Sequence, residues 1–151
     1  MATDPSCHHE LVPFKTSHVE SIHWLEREHM LLIGYQALAL YEQNPGWTGL
    51  CNGRFVGAGG IIRHYPGLGE GWAIAGPLVR AGHTTFFHRT IKKAMINLAP
   101  TLGVRRLQIL VRAQFEVSHD WVQRLGFTRE ATLVRYGIKG EDMVMYVRFF
   151  D

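Results

Sequence analysis

Between Arg106 and Phe127 the apolar positions change their spacing from every second residue to every third or fourth, which predicts a strand followed by a helix. Leu107, Ile109 and Val111 alternate with Gln108 and Leu110 in a strand over 106–112. Ser118, Trp121, Val122 and Leu125 then share one face of a helix over 115–125. Gly126 can take the left-handed conformation that closes a helix, which leaves Phe127 free to enter the core.

Similar reasoning orders the rest of the chain. Leu11 to Phe14 reads as a short strand, and Ser17 with Glu20 forms the S-x-x-E pattern that opens a helix carrying Val19, Ile22 and Leu25 inward. A second helical run, Leu31 to Gln43, is stopped by Asn44-Pro45-Gly46. Strands over Trp47–Cys51 and Arg54–Tyr65 flank Asn52-Gly53, the dipeptide best suited to two successive positive φ angles in a tight hairpin. Gly57, Gly59 and Gly60 sit inside the strand pattern and open no helix, so they predict close packing or a bulge rather than a phosphate loop. Pro66-Gly67 turns the chain into a strand over Gly69–Ala75, and Gly76-Pro77 ends it. A helix over Thr84–Leu98 follows, with Phe87, Ile91, Ala94 and Leu98 as its apolar stripe and His88, Arg89, Lys92 and Lys93 as its polar face. A final hairpin pairs Thr128–Tyr136 with Glu141–Phe150, and both faces of its second strand are expected to be covered.

Length and composition narrow the class. The 151 residues suit one domain over 11–151, preceded by a flexible tail over 1–10. Apolar content of 46% against 19% charged residues argues for a globular chain rather than a disordered one. No apolar run reaches the length of a bilayer span, and the first residues lack a secretory pattern, so the cytoplasm is the expected compartment. Cys7 and Cys51 are the only cysteines; a bridge between them can be drawn, but the tail position of Cys7 and the reducing compartment make unpaired thiols the expectation.

Of the net charge of +3, its placement says more than its size. Arg80, His83, His88, Arg89, Lys92, Lys93, Arg105 and Arg106 fall in one region of the sequence, a pattern that suits a phosphate-bearing ligand, a nucleic acid or an acidic protein, or else simply the solvated faces of a helix and a loop. Nucleic acid is not expected, because no stacking aromatics are interleaved with these cations. No metal centre is expected either: H-E-x-x-H is absent, Glu26-x-x-His29 occurs once, and Cys7-His8-His9 lies in the tail. G-x-S-x-G is also absent, which removes the usual serine hydrolase signature.

The order β, α, α, β, β, β, α, β, α, β, β, with Leu125-Gly126-Phe127 after the fourth helix and LVRYGIKGEDMVMYVRF as the closing hairpin, resembles the GNAT superfamily of acetyl-CoA-dependent N-acetyltransferases. Within it, the short length and the Trp-Val-Gln-Arg-Leu-Gly-Phe variant look most like the small GNAT-like proteins of tailed bacteriophages. The resemblance implies an α/β (α+β) domain with a mixed sheet of six to seven strands, about four flanking helices, and strands four and five splayed apart. It further implies direct transfer of acetyl from acetyl-CoA to an amine. The alternative is a phage-encoded scaffold with weakened or lost catalysis that binds and modulates a host protein in the host cytoplasm. A homodimer is left open.

Residues follow from the same resemblance. The pyrophosphate would lie on the start of the third helix, at Leu78, Val79, Arg80, Gly82, His83, Thr84 and Thr85. His83 stands where such a loop has its first glycine, and Thr85 where it has a second small residue. Many members carry an Asn at the start of the fourth helix and a Tyr four residues before Gly-Phe; here Phe115 and Val122 stand there. Tyr136 is the nearby substitute as proton donor, and Glu70 and His64 are the candidate bases for the amine.

Overall fold

A computed structural model describes residues 7–20 and 38–151. Strand β1 (His9–Pro13) leads to the short helix α1 (Ser17–Glu20), and helix α2 occupies 38–43. Next come β2 (Gly46–Cys51), β3 (Arg54–Tyr65) and β4 (Leu68–Ala75). A π-helical turn over Val79–His83 opens helix α3 (Thr84–Thr101). The chain closes with β5 (Arg106–Arg112), helix α4 (Glu116–Arg124), β6 (Thr128–Leu133) and β7 (Met143–Phe149). The expected inward positions Ile22 and Leu25, and the start of the run from Leu31, lie outside the described residues.

All seven strands form one sheet in the order β1-β2-β3-β4-β5-β7-β6. Only β4 and β5 run parallel; every other neighbouring pair is antiparallel. The period of two along β3 divides the protein into two cores. Ile61 joins Met95 and Ala99 of α3, Val122 and Leu125 of α4, and Leu107, Val111, Val144 and Tyr146 of the sheet. Ala58 and Ile62 point the other way, toward Phe14, Val19, Leu38, Tyr41, Trp72 and Ile74. Helices therefore lie on both faces, and full burial of a side chain such as Leu107 or Val122 is worth about 1.5–3 kcal/mol.

The turns follow their residues. Asn52 and Gly53 take φ of 50° and 79°, as a tight hairpin requires. Gly57 and Gly59 lie beneath α3, where an added Cβ would meet the Phe87 ring and Ile91, so close packing is their role. Gly126 closes α4 with φ of 94°, and Phe127 enters the core at 5% exposure.

Several expectations require correction. Cys7 and Cys51 are joined as a disulfide, with Cα atoms 5.6 Å apart. Their approach is set by β1, which starts at His9 rather than Leu11, and by paired hydrogen bonds between His8 and Asn52. β6 stops at Leu133, short of Tyr136, because Arg135 turns to φ of 56° and its N–H donates to Asp142 Oδ1 at 3.0 Å. In β7, Val144 and Tyr146 are buried, but Phe149 is 65% exposed, so one face is only partly covered. The cations also disperse: His83 is buried, Arg106 pairs with Glu130, and the Arg105 guanidinium lies under Gly67.

Candidate active site

β4 and β5 are paired only through Leu68, Glu70 and the glycine between them, opposite Arg106, Leu107 and Gln108. Beyond that point β4 continues against β3 to Ala75, and β5 continues against β7 to Arg112. The sheet is thus split into a wedge whose inner edges, 71–75 and 109–112, do not pair with each other. Since the two strands are parallel, both carboxyl ends lie at the open side, where a crevice between diverging strands suits a ligand. Backbone N–H and C=O groups along these edges are available to it.

Each strand delivers a helix to that opening. β4 leads through Gly76-Pro77 into the π-helical turn, and neither Leu78 nor His83 makes a side-chain cap. The first turns there contain no acidic residue, so no side chain of those turns offsets the positive end of the helix dipole. Ala81 and Gly82 break the helical backbone, with Gly82 at φ of 109°. Thr84 commits its hydroxyl to Val79 C=O at 2.8 Å, whereas Thr85 is exposed.

His83 is only 3% exposed and its Nδ1 lies 2.9 Å from His9 Nε2. Its ring is therefore turned toward β1. Leu78 and Val79 are half-buried. The turn thus gathers the expected cofactor residues on one short segment behind β4.

Glu70 occupies the closed end of the wedge, and His64 Nε2 lies 3.7 Å from its Oε2. The structure therefore brings the two candidate bases together, each partly exposed. Tyr41, stacked on Trp72 with centroids 4.1 Å apart, has its phenol held well above the usual range by burial and then by the Glu70 charge. Tyr136 is not brought to this pair; it is 59% exposed on the β6–β7 connection. Phe115 stacks under Arg112, whose guanidinium carbon is 3.6 Å from the ring centroid, and Val122 is 1% exposed.

Sequence reasoning missed three arrangements. Tyr146 on β7 donates its hydroxyl to His119 Nδ1 at 2.7 Å, which leaves Nε2–H to donate to the carbonyls of Arg112 and Ala113. Trp121 Nε1 donates to His88 Nδ1 at 3.0 Å and joins α4 to α3. Burial, followed by Lys92 and Arg124, lowers the pKa of His88, consistent with an accepting neutral ring. Finally, Cys7, His9, Cys51 and His83 converge on one another. The alternation of Cys7 and His9 was the only local signal of that cluster. An apolar groove between β2, β3 and α3, lined by Trp47, Phe86 and Ile91, includes Trp72 of β4 but no residue of β5 or α4.

Solved structures share this architecture. Ard1 from Thermoplasma volcanium superposes with a TM-score of 0.76 at 13% identity, over 95% of this chain and 98% of its own. An acetyltransferase of the GNAT family from Streptococcus pneumoniae gives 0.70 at 15% identity, over 95% and 100%. The ribosomal L7/L12 alpha-N-protein acetyltransferase RimL, solved in complex with coenzyme A, gives 0.71 at 16% identity, over 95% and 94%. The chain has the GNAT fold. No family model matches the sequence, and neither does any curated protein.

Proposed function

We propose that the chain is an acetyl-CoA-dependent N-acetyltransferase that transfers acetyl directly to an amine. The carrying observation is the wedge that ends at Glu70 and Gln108, with an uncapped, acid-free turn at its open side. Those features suit the ligand's two chemistries. The turn over Leu78, Val79, Arg80, Gly82, His83, Thr84 and Thr85 offers backbone amides and a positive dipole end to a pyrophosphate. The unpaired edges of β4 and β5 offer alternating donors and acceptors to an amide-bearing arm. Acetyl-CoA supplies an activated thioester.

In this reading Glu70, with His64 beside it, takes the proton of the amine. The freed lone pair forms the N–C bond, the C–S bond breaks, and the departing sulfur takes a proton. With Val122 unable to supply that proton, Tyr136 or solvent at the open side does so. The reaction belongs to a cytoplasmic protein.

A second reading draws on Val122 and Phe115, apolar where a proton donor and an amide are expected: a GNAT scaffold of phage type that modulates a host protein with catalysis weakened. Thermal unfolding with acetyl-CoA separates the two. Saturation at 100 times the dissociation constant should stabilise by about 2.7 kcal/mol. An unchanged transition at millimolar acetyl-CoA overturns the enzyme reading and leaves the scaffold reading standing.

A further inference from the structure

Cys7 stands two residues before His9, the first residue of β1, and the hydrogen bonds between His8 and Asn52 carry the chain on alongside β2, so that Cys7 comes to lie beside Cys51. Cys51 is the residue paired with His9 across the β1–β2 ladder and therefore shares its face of the sheet. His83 reaches it from the turn before α3, with its Nδ1 2.9 Å from His9 Nε2. One potential ligand atom from each of the four residues falls within a set whose members are all within 4.8 Å of one another. Cys51 and His83 are buried at 0% and 3% exposure. The His9 ring is fixed from the other side by Phe86, parallel to it at 3.8 Å.

A disulfide accounts for the two sulfurs but not for two imidazoles turned toward each other beside them. A tetrahedral zinc site accounts for all four. Metal–sulfur bonds near 2.3 Å and metal–nitrogen bonds near 2.0–2.1 Å place ligand atoms roughly 3.3–3.8 Å apart, a spacing within reach of side-chain rotation here. Paired thiolate and imidazole ligands favour zinc over hard cations. We propose that Cys7, His9, Cys51 and His83, with both cysteines as thiols, form a closed structural site for one zinc ion.

On binding, each thiol loses its proton to solvent and each sulfur donates a pair to the metal, with no change of oxidation state. Four protein ligands leave no open position, so the site is structural rather than hydrolytic. It would fasten the segment before β1, the end of β2 and the turn over Val79–His83 to one another. This inference does not depend on the acetyltransferase reading.

The test uses the full chain purified without chelator under a phosphine reductant, which converts the disulfide to two thiols and itself becomes the phosphine oxide. Zinc by atomic emission should approach one per chain. Titration with cobalt(II) should give the visible bands of a tetrahedral site together with thiolate-to-cobalt charge transfer. Cys7→Ser, at the partly exposed end of the cluster, should abolish the charge-transfer band of the native set and reduce zinc to near background. A reduced, natively folded wild-type chain that takes up neither metal overturns the proposal, whether or not any variant folds. So does a folded Cys7→Ser variant with an undiminished cobalt spectrum.

Discussion

Glu70 and Gln108 are the last pair of residues that join β4 to β5. The carboxylate consequently stands where the sheet divides, with His64 at 3.7 Å. Replacing it by Gln keeps the shape and removes the base. Glu70→Gln should lower kcat for amine acetylation by roughly 10²–10⁴-fold while leaving the KM for acetyl-CoA nearly unchanged. Steady-state kinetics across pH would show the loss, and an unaltered kcat would remove Glu70 from the mechanism.

Acid should loosen the packing of the helices. Burial is the first cause of the lowered pKa of both His88 and His18, ahead of Lys92 and Arg124 for the former and Lys15 for the latter. Their rings bind fewer protons in the folded chain than in the unfolded chain, so stability rises with pH in that window. The contribution is complete above the unfolded value of 6.5 and is lost as pH falls through 6.5 toward the folded values. Glu42 and Glu130, held low chiefly by hydrogen bonds from Thr16 and Arg106, add a separate loss only below about their ordinary value of 4.5. Calorimetry should find a lower melting temperature at pH 5.5 than at 7.5. Trp121→Phe, which deletes the bond to His88, should cost about 0.5–1.5 kcal/mol at neutral pH. A melting temperature that is higher at pH 5.5 contradicts the assignment.

Much of the fold was legible because it rests on local patterns. The alternation of Leu107, Ile109 and Val111, the Asn52-Gly53 turn and the Gly126 closure depend on neighbours within a few residues. The direction of a side chain in an irregular segment does not. His83 stands where the resemblance places the loop's first glycine, and nothing local in the sequence indicated that its ring packs toward His9. The pairing of Cys7 with Cys51 was hidden for a related reason: the ladder begins at His9, and only that register brings the first cysteine beside the second. His64 and Glu70 were predicted separately, and their proximity follows from the β3–β4 hairpin, which places Glu70 opposite Ile62.

The glycines under α3 should be intolerant of side chains, to unequal degrees. A Cβ at Gly57 would enter the Phe87 ring and approach the Ile74 carbonyl to 2.9 Å. Phe87 cannot retreat easily, since it stacks on Trp121 with centroids 5.4 Å apart. At Gly59 the closest obstacle is the Ile91 Cδ1, 2.6 Å away at the end of a flexible side chain. Gly57→Ala should therefore destabilise by about 1–3 kcal/mol, and Gly59→Ala by less. Urea unfolding of both variants checks the order; the reverse order would mean that Phe87 yields more readily than Ile91.

Restoring a tyrosine to α4 is the direct way to ask whether its absence limits the chemistry. Val122 faces the core with Leu125, Val144 and Tyr146, at 1% exposure, so the larger side chain has no room in the present packing. Val122→Tyr should cost about 1–3 kcal/mol from overpacking and yield no gain in acetyl transfer. The buried position also leaves a phenol without an evident path to the wedge. Unfolding measurements and kinetics on one preparation check both halves. A variant that keeps its stability and transfers acetyl faster would show that α4 can rotate its 122 position toward the opening, and that the core packing of Val122 is not what excludes a proton donor there.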